Sequence, residues 1–246
     1  MPTFAVILPA AGKSTRFGGR EKKPYANLDG TAVWLKTAAL FCNRPDVAQM
    51  ILVIAPEDRE LVQRRYAANL MFMGVSLVDG GKERFESVAN ALSQLKAEVD
   101  HVAIHDAVRP CTPNAVIDGV FNAAVKHGGA LPSLAVSDTL KRADKQMRVV
   151  ETVSRDGLWQ AQTPQAFRKD LLLDAYAKRG SLTVPITDDA QLFEAAGHPV
   201  QLVPGSSFNI KITTHDDIKI ASAMLKIREA DEKPKASHPF EDERFR

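Results

Sequence analysis

The chain has 246 residues, 45% of them hydrophobic and 25% charged, with a formal net charge of +2. Such a balance suits one soluble α/β domain and excludes a disordered chain or a protein that coats nucleic acid by charge alone. Two cysteines, Cys42 and Cys111, stand far apart without a CxxC pair, which excludes a disulfide framework or zinc ribbon and fits a reducing compartment.

Strand and helix patterns alternate from the first residues. TFAVILP (3–9) is a β-branched-rich run that ends in Pro-Ala-Ala-Gly. It starts almost at Met1, so the expectation is a cytoplasmic protein without a leader, and no apolar run approaches membrane-spanning length. A helix is predicted over 31–42, a strand over 47–55, a charged helix over 57–66 and a strand over 74–81 that ends in Gly80-Gly81. A helix over 83–95 follows, and 100–110 is a strand that runs into a polar loop. Residues 114–128 form a helix that closes at Gly128-Gly129, and 129–136 form a further strand. Near-continuous apolar strands separated by helices imply a Rossmann-like, mostly parallel sheet covered by helices on both faces. Ligands in such sheets bind at the strands' carboxyl ends, which selects the loops 9–24, 79–87 and 105–111.

Residues 137–165 break the alternation. LKRA and RVVETV flank the polar turn DKQM and predict a protruding β-arm over about 137–160, either a plain insertion or a dimerisation element. Helices are predicted over 168–179 and 188–197, strands in PVQLVPG and FNIKI, and a helix over 215–228 capped by Thr214 with Asp217 at its third position. The single domain thus covers 1–228. Residues 229–246 read as a charged, disordered tail.

The first loop, LPAAGKSTRFGG, contains Gly12-Lys13-Ser14 and resembles the end of a P-loop. A complete P-loop needs glycine five residues before Gly12, and that position is Ile7; Pro9 also removes an amide. The Gly-x-Gly-x-x-Gly dinucleotide fingerprint is absent as well. What remains is a turn of small residues, Pro9, Ala10, Ala11 and Gly12, whose backbone can approach phosphate oxygens, with Arg16 and Lys23 as cations beyond it. Lys13 and Lys22 read as solvated surface charge. Asp106, at the end of its strand in HDAVRP, suits a Mg²⁺ ion that bridges to substrate phosphates; as an alternative it caps its loop beside Arg109. His101 and His105 read as structural, and Cys111 as a small buried residue. Gly80-Gly81 before Ser87 allows close approach of a base, although a tight turn alone also accounts for the pair.

Taken together, P-A-A-G-x-x-x-R-F, D-G-G-x-E-R-x-x-S-V, H-D-A-x-R-P, D-T-x-K-R, R-x-G-L-W-x-A-x-T-P-Q-x-F, T-D-D-A and N-I-K-I-T resemble the 2-C-methyl-D-erythritol 4-phosphate cytidylyltransferase family, in order over about residues 4–226. The resemblance implies cytidylyl transfer from CTP to methylerythritol 4-phosphate with Mg²⁺ as cofactor, in a homodimer without nucleic-acid or membrane partners. It assigns Arg16, Lys23, Arg155 and Lys211 to catalysis, and Pro9 to Gly12, Gly80, Gly81 and Ser87 to the nucleotide. Asp106, Arg109, Thr139 and Lys211 go to the second substrate, with Asp106 also on the metal. Arg155, Thr163 and Thr187 are expected to reach a neighbouring subunit's substrate. The departures are K-K-P-Y in place of P-K-Q-Y, which leaves Lys22 and Lys23 as alternatives, and Phe208 where some members carry aspartate. Cytidylyl transfer to another polyol phosphate, such as ribitol 5-phosphate, and a non-catalytic nucleotide-binding protein are the rival readings.

Overall fold

The structure is a computed structural model that describes residues 1–12, 14, 17, 18, 21–181 and 186–232. Its order is β1 (Phe4–Pro9), a 3-10 turn at Lys23–Tyr25, a small hairpin of β2 (Asn27–Leu28) and β3 (Thr31–Ala32), α1 (Val33–Ala39), β4 (Val47–Ile54), α2 (Arg59–Phe72) and β5 (Val75–Asp79). Then come α3 (Arg84–Leu92), β6 (His101–Ile104), α4 (Asn114–His127), β7 (Gly129–Ala135), β8 (Leu140–Ala143), β9 (Val149–Val153), β10 (Trp159–Ala161) and β11 (Gln165–Arg168). The chain closes with α5 (Lys169–Ala177), α6 (Asp189–Ala195), β12 (Gln201–Pro204) and α7 (His215–Glu232).

The main sheet runs β10-β7-β11-β6-β1-β4-β5, with β12 also on β7. β1 pairs in parallel with β4 and β6, and β4 with β5. β11 is inserted antiparallel between β6 and β7, and β10 runs antiparallel to β7. The mostly parallel sheet expected from the alternation is present. Strand alternation sends Phe4, Val6 and Leu8 to one face, against Trp34, Phe41 and Phe121 from α1, the segment after it and α4. Ile7 packs on the other face with Ile51, Val53 and Ile104, under Val88, Leu172 and Phe193 from α3, α5 and α6. Burial on both faces is the physical reason these strands lack polar alternation. Among the described residues no helix is long and apolar enough to cross a membrane.

Several expectations need correction. The predicted 57–66 helix continues to Phe72, and the boundary read from the sequence is a kink at Tyr66 (φ −126°). FNIKI is not a strand. Its Asn209 is wholly buried and bonded to Thr163 and Thr112, so this stretch is held by side chains rather than by a ladder. The hairpin β8–β9 is present and forms its own two-stranded sheet. The predicted arm limit of 160 is too long, because Trp159 and Gln160 lie in β10 of the main sheet. The run between 154 and 168 hid two strands because they are short, and Gln165 is a polar residue with 2% exposure in the sheet interior. α7 runs four residues past the expected end of the domain, and residues 233–246 lie outside the described set. Thr214 and Asp217 do cap α7: Asp217 Oδ2 accepts the Thr213 and Thr214 amides at 2.7 and 2.8 Å.

Candidate active site

The carboxyl ends of β1, β4, β5 and β6 open onto one cavity of about 640 Å³. Of the residues selected from the sequence, Pro9, Ala10, Ala11, Gly12, Lys23, Gly81, Ser87, Asp106 and Lys211 line it. Arg16 lies outside the described residues.

The first loop is built to keep its backbone open. A Cβ placed on Gly12 would meet nothing within 4 Å among the described residues, so this glycine faces the cavity rather than packing. Ser14, dismissed with the P-loop reading, has a role that the sequence did not signal. It adopts a left-handed φ of 53°, and its Oγ accepts the Lys23 amide at 3.1 Å, which joins the loop to the 3-10 turn carrying Lys23. Phe17 anchors the loop further on by packing against the His215 ring, 4.1 Å between centroids.

Geometry separates the two candidate lysines. Lys22 Nζ is held by Glu57 at 3.0 Å and Asp58 at 2.8 Å. Its pKa is raised, because these two carboxylates more than offset burial. Lys22 does not line the cavity, whereas Lys23 does.

The second loop contains a glycine required by packing. A Cβ on Gly80 would stand 2.6 Å from Ala11 Cβ and 2.9 Å from Ser87 Oγ. Gly80 is therefore required where two loops touch, a reason the sequence did not offer. Ser87 is buried, and its Oγ accepts the Gly81 amide and donates to the Glu83 carbonyl, both at 3.1 Å. Its hydroxyl sets the loop on the first turn of α3, where Glu83 and Glu86 form a capping box.

Asp106 is the acidic centre. Its Oδ2 meets Arg109 Nε at 3.0 Å and Lys211 Nζ at 3.1 Å. Burial alone would raise this carboxyl's pKa, but Lys211, Arg109 and Arg84 overcome it and hold the group well below the usual carboxylate range. Asp106 thus pairs with Arg109, as the loop-capping alternative has it, and it also lines the cavity. Behind it, Thr163 Oγ1 accepts the Asp106 amide at 3.1 Å and lies 3.0 Å from His105 Nδ1. Burial lowers the His105 pKa to about 4, so the ring is neutral at pH 7 and structural, as expected. Arg109 Nη1 donates to the Asn209 carbonyl at 2.7 Å, which links the irregular segment carrying Lys211 to the same loop.

Thr163 is buried behind Asp106 of its own chain. Thr139, Arg155 and Thr187 are exposed and do not line the cavity; Arg155 Nη1 donates to the Ser137 carbonyl at the arm's base. Arg84 is the residue that sequence reasoning missed. It lines the cavity from the start of α3 and pairs with the buried Asp189 at 2.6 Å. Burial would lower its pKa, but Asp189 reverses the effect, and the guanidinium stays charged. The signal was available, since Arg84 stands inside the string D-G-G-x-E-R-x-x-S-V.

Small-residue amides, cavity-facing cations and one buried carboxylate at the carboxyl edge of a parallel sheet are what nucleotidyl transfer requires, and comparison with known proteins places the chain in that class of enzymes. The family model described as IspD, 2-C-methyl-D-erythritol 4-phosphate cytidylyltransferase, matches residues 4–227, and the chain belongs to that family. It is 41% identical over 235 residues to the 2-C-methyl-D-erythritol 4-phosphate cytidylyltransferase of Rhodopirellula baltica, covering 91% of this chain and 95% of the relative. It is 43% identical over 228 residues to the bifunctional enzyme IspD/IspF of Rhodospirillum rubrum, covering 92% of this chain and 58% of that longer relative. The crystal structure of 4-diphosphocytidyl-2C-methyl-D-erythritol synthase from Anaerococcus prevotii superposes with a TM-score of 0.76 at 31% identity, over 92% of this chain and 96% of that one. That of the 2-C-methyl-D-erythritol 4-phosphate cytidylyltransferase from Thermus thermophilus gives 0.75 at 30% identity, over 92% and 100%.

Proposed function

We propose that this chain transfers the cytidylyl group of CTP to 2-C-methyl-D-erythritol 4-phosphate. A phosphate oxygen of the polyol attacks the α-phosphorus in line. The new O–P bond forms as the bond to pyrophosphate breaks, and the products are CDP-methylerythritol and pyrophosphate. The nucleophile is already an anion, so the protein supplies alignment and charge neutralisation rather than a covalent group. The observation that carries this reading is the convergence of the Ala10–Gly12 turn, Lys23, Lys211 and Asp106 on one cavity in a chain of this family.

In this assignment the Ala10–Gly12 turn and Gly81 receive the nucleotide. Lys23, with Arg16, neutralises charge that builds on the α-phosphate oxygens. Lys211 has its charge fixed by Asp106 and aligns the incoming phosphate, while Arg109 keeps the Asp106 carboxylate in place. The donor set fits Mg²⁺. Among the described residues no group of three or more His, Cys, Asp or Glu makes a closed metal site, and magnesium takes one or two carboxylates with substrate phosphates and water. Asp106 would hold it through Oδ1, since Arg109 and Lys211 both occupy Oδ2. The ion supplies further neutralisation of triphosphate charge when bound.

The dimer belongs to the same proposal. β8 and β9 form an isolated two-stranded sheet, marginal in stability without a partner, and they expose Val149 and Val150, with Met147 exposed in the turn between them. A second copy would cover them and bring Arg155 and Thr187 to its neighbour's substrate phosphate. Two free cysteines support a cytoplasmic setting, and the near-neutral net charge supports the absence of a nucleic-acid partner.

Pyrophosphate release tests the reading, measured with each nucleoside triphosphate and with methylerythritol and ribitol phosphates in turn. CTP with methylerythritol phosphate is expected to be the best pair. Equal or faster turnover of ribitol phosphate refutes the acceptor, and no release with any pair refutes catalysis.

A further inference from the structure

α3 starts directly after the nucleotide loop, and each of its first two side chains holds a charged partner from a later part of the chain. Arg84 lines the cavity with 36% of its side chain exposed, and on its other side it meets Asp189 Oδ2 at 2.6 Å. Phe85, the next residue, carries the Arg179 guanidinium over its ring at 4.8 Å. Asp189 follows directly on Thr187 and Asp188.

Asp189 is held in its place more firmly than a member of an exposed ion pair would be. It is 1% exposed. Oδ1 accepts the Tyr176 hydroxyl at 2.7 Å, and its amide donates to Gln165 Oε1 at 3.2 Å. Gln165 Nε2 donates in turn to Asp188 Oδ2 at 2.8 Å, and Asp188 Oδ1 caps α6 by accepting the Gln191 amide at 2.9 Å. Thr187 is fixed at the end of this chain, with its amide and hydroxyl both donating to Gln191 Oε1. A flexible arginine loses rotamer freedom when it grips a ligand, and a fixed partner removes that cost in advance.

We propose that Asp189 is a positioning residue: it presets Arg84 for the nucleotide's anionic groups, and through the same ion pair it secures Thr187 and Asp188 at the start of α6. The inference rests on the cytidylyltransferase reading given above. It joins the nucleotide side of one subunit to the residue assigned to its neighbour's acceptor phosphate.

The test is calorimetric titration of CTP into the full-length protein without acceptor, for wild type, Asp189→Asn, Arg84→Gln and the double variant. Asn keeps the shape and the Tyr176 contact but removes the charge. Asp189→Asn is expected to weaken CTP about tenfold, and the double variant to bind no more weakly than Arg84→Gln alone, as two members of one unit do. Asp189→Asn should also raise the acceptor KM about threefold, because Thr187 and Asp188 lose part of their anchor. If Asp189→Asn does not fold, Tyr176→Phe replaces it, with CTP weakened about threefold. CTP binding unchanged in Asp189→Asn (or in Tyr176→Phe where that variant replaces it), or losses that multiply in the double variant, overturn the inference and leave the proposed reaction standing. A wild-type protein that binds no CTP overturns both.

Discussion

Replacing each of the adjacent lysines separately tests how the cleft divides structural from catalytic charge. Lys22 Nζ is shared between Glu57, whose side chain is 70% exposed, and Asp58, 12% exposed. An exposed pair contributes little, whereas a charged hydrogen bond to the part-buried Asp58 is worth about 2 kcal/mol. Lys22→Ala leaves Asp58 with the Tyr25 hydroxyl at 3.2 Å as its side-chain donor among the described residues. In a protein of this size a loss of about 2 kcal/mol lowers Tm by roughly 4–8 °C. Its kcat should change less than about threefold, because the lysine faces the acidic pair and not the cavity. Lys23→Ala does the reverse. It removes a cavity cation, which costs on the order of 10²–10³ in kcat, or about 2.7–4 kcal/mol of transition-state stabilisation. Continuous pyrophosphate release and a thermal melt on both variants measure the two quantities. A larger kcat loss in Lys22→Ala than in Lys23→Ala, with both melts unchanged, would refute this division.

Gly80→Ala forces a methyl group to 2.6 Å from Ala11 Cβ and should cost about 1–3 kcal/mol together with activity, while Gly12→Ala, which meets nothing within 4 Å among the described residues, should melt within about 1 kcal/mol of wild type. Denaturant titration compares them, and equal destabilisation would contradict the packing role of Gly80. His101 is buried, with neither ring nitrogen hydrogen-bonded among the described residues, and burial lowers its pKa. A histidine whose folded pKa is depressed contributes stability that is complete above its unfolded pKa of about 6.5 and is lost as pH falls. His101→Phe should therefore flatten the fall in Tm between pH 7 and 5, and a variant profile parallel to wild type speaks against the account. Mixing inactive Arg155→Ala and Lys23→Ala subunits should restore part of the activity, since one site of a mixed dimer keeps both residues. No recovery after verified subunit exchange would show that Arg155 serves its own chain.

Much of the site was legible because its chemistry is local in sequence. Small residues after a buried strand, a glycine pair before a helix and a carboxylate at a strand end each follow from one loop, and the rule that parallel sheets bind ligands at their carboxyl edge brought the three loops together. Legibility failed where a residue's role depends on a distant partner. Lys22 and Lys23 are chemically identical until Glu57 and Asp58 arrive 35 residues later to occupy one of them. Ser14 looked like part of an incomplete motif until its hydroxyl met the Lys23 amide. Arg84 had no visible purpose without Asp189, which lies 105 positions away.

What the amino-acid order determined by itself is the alternating framework. Runs such as FAVIL and MILVI are apolar at every position because both faces of the sheet are covered, and that requirement is written in the residues themselves. The tertiary structure alone decided the register and the electrostatics. β11 enters antiparallel between β6 and β7 because Gln165 finds buried partners there, in spite of its polarity. Asp106 remains ionised in a buried place because Arg109, three residues away, and Lys211, 105 residues away, converge on one oxygen. Burial and paired charge are properties of positions in space, and the chain acquires them only when it folds.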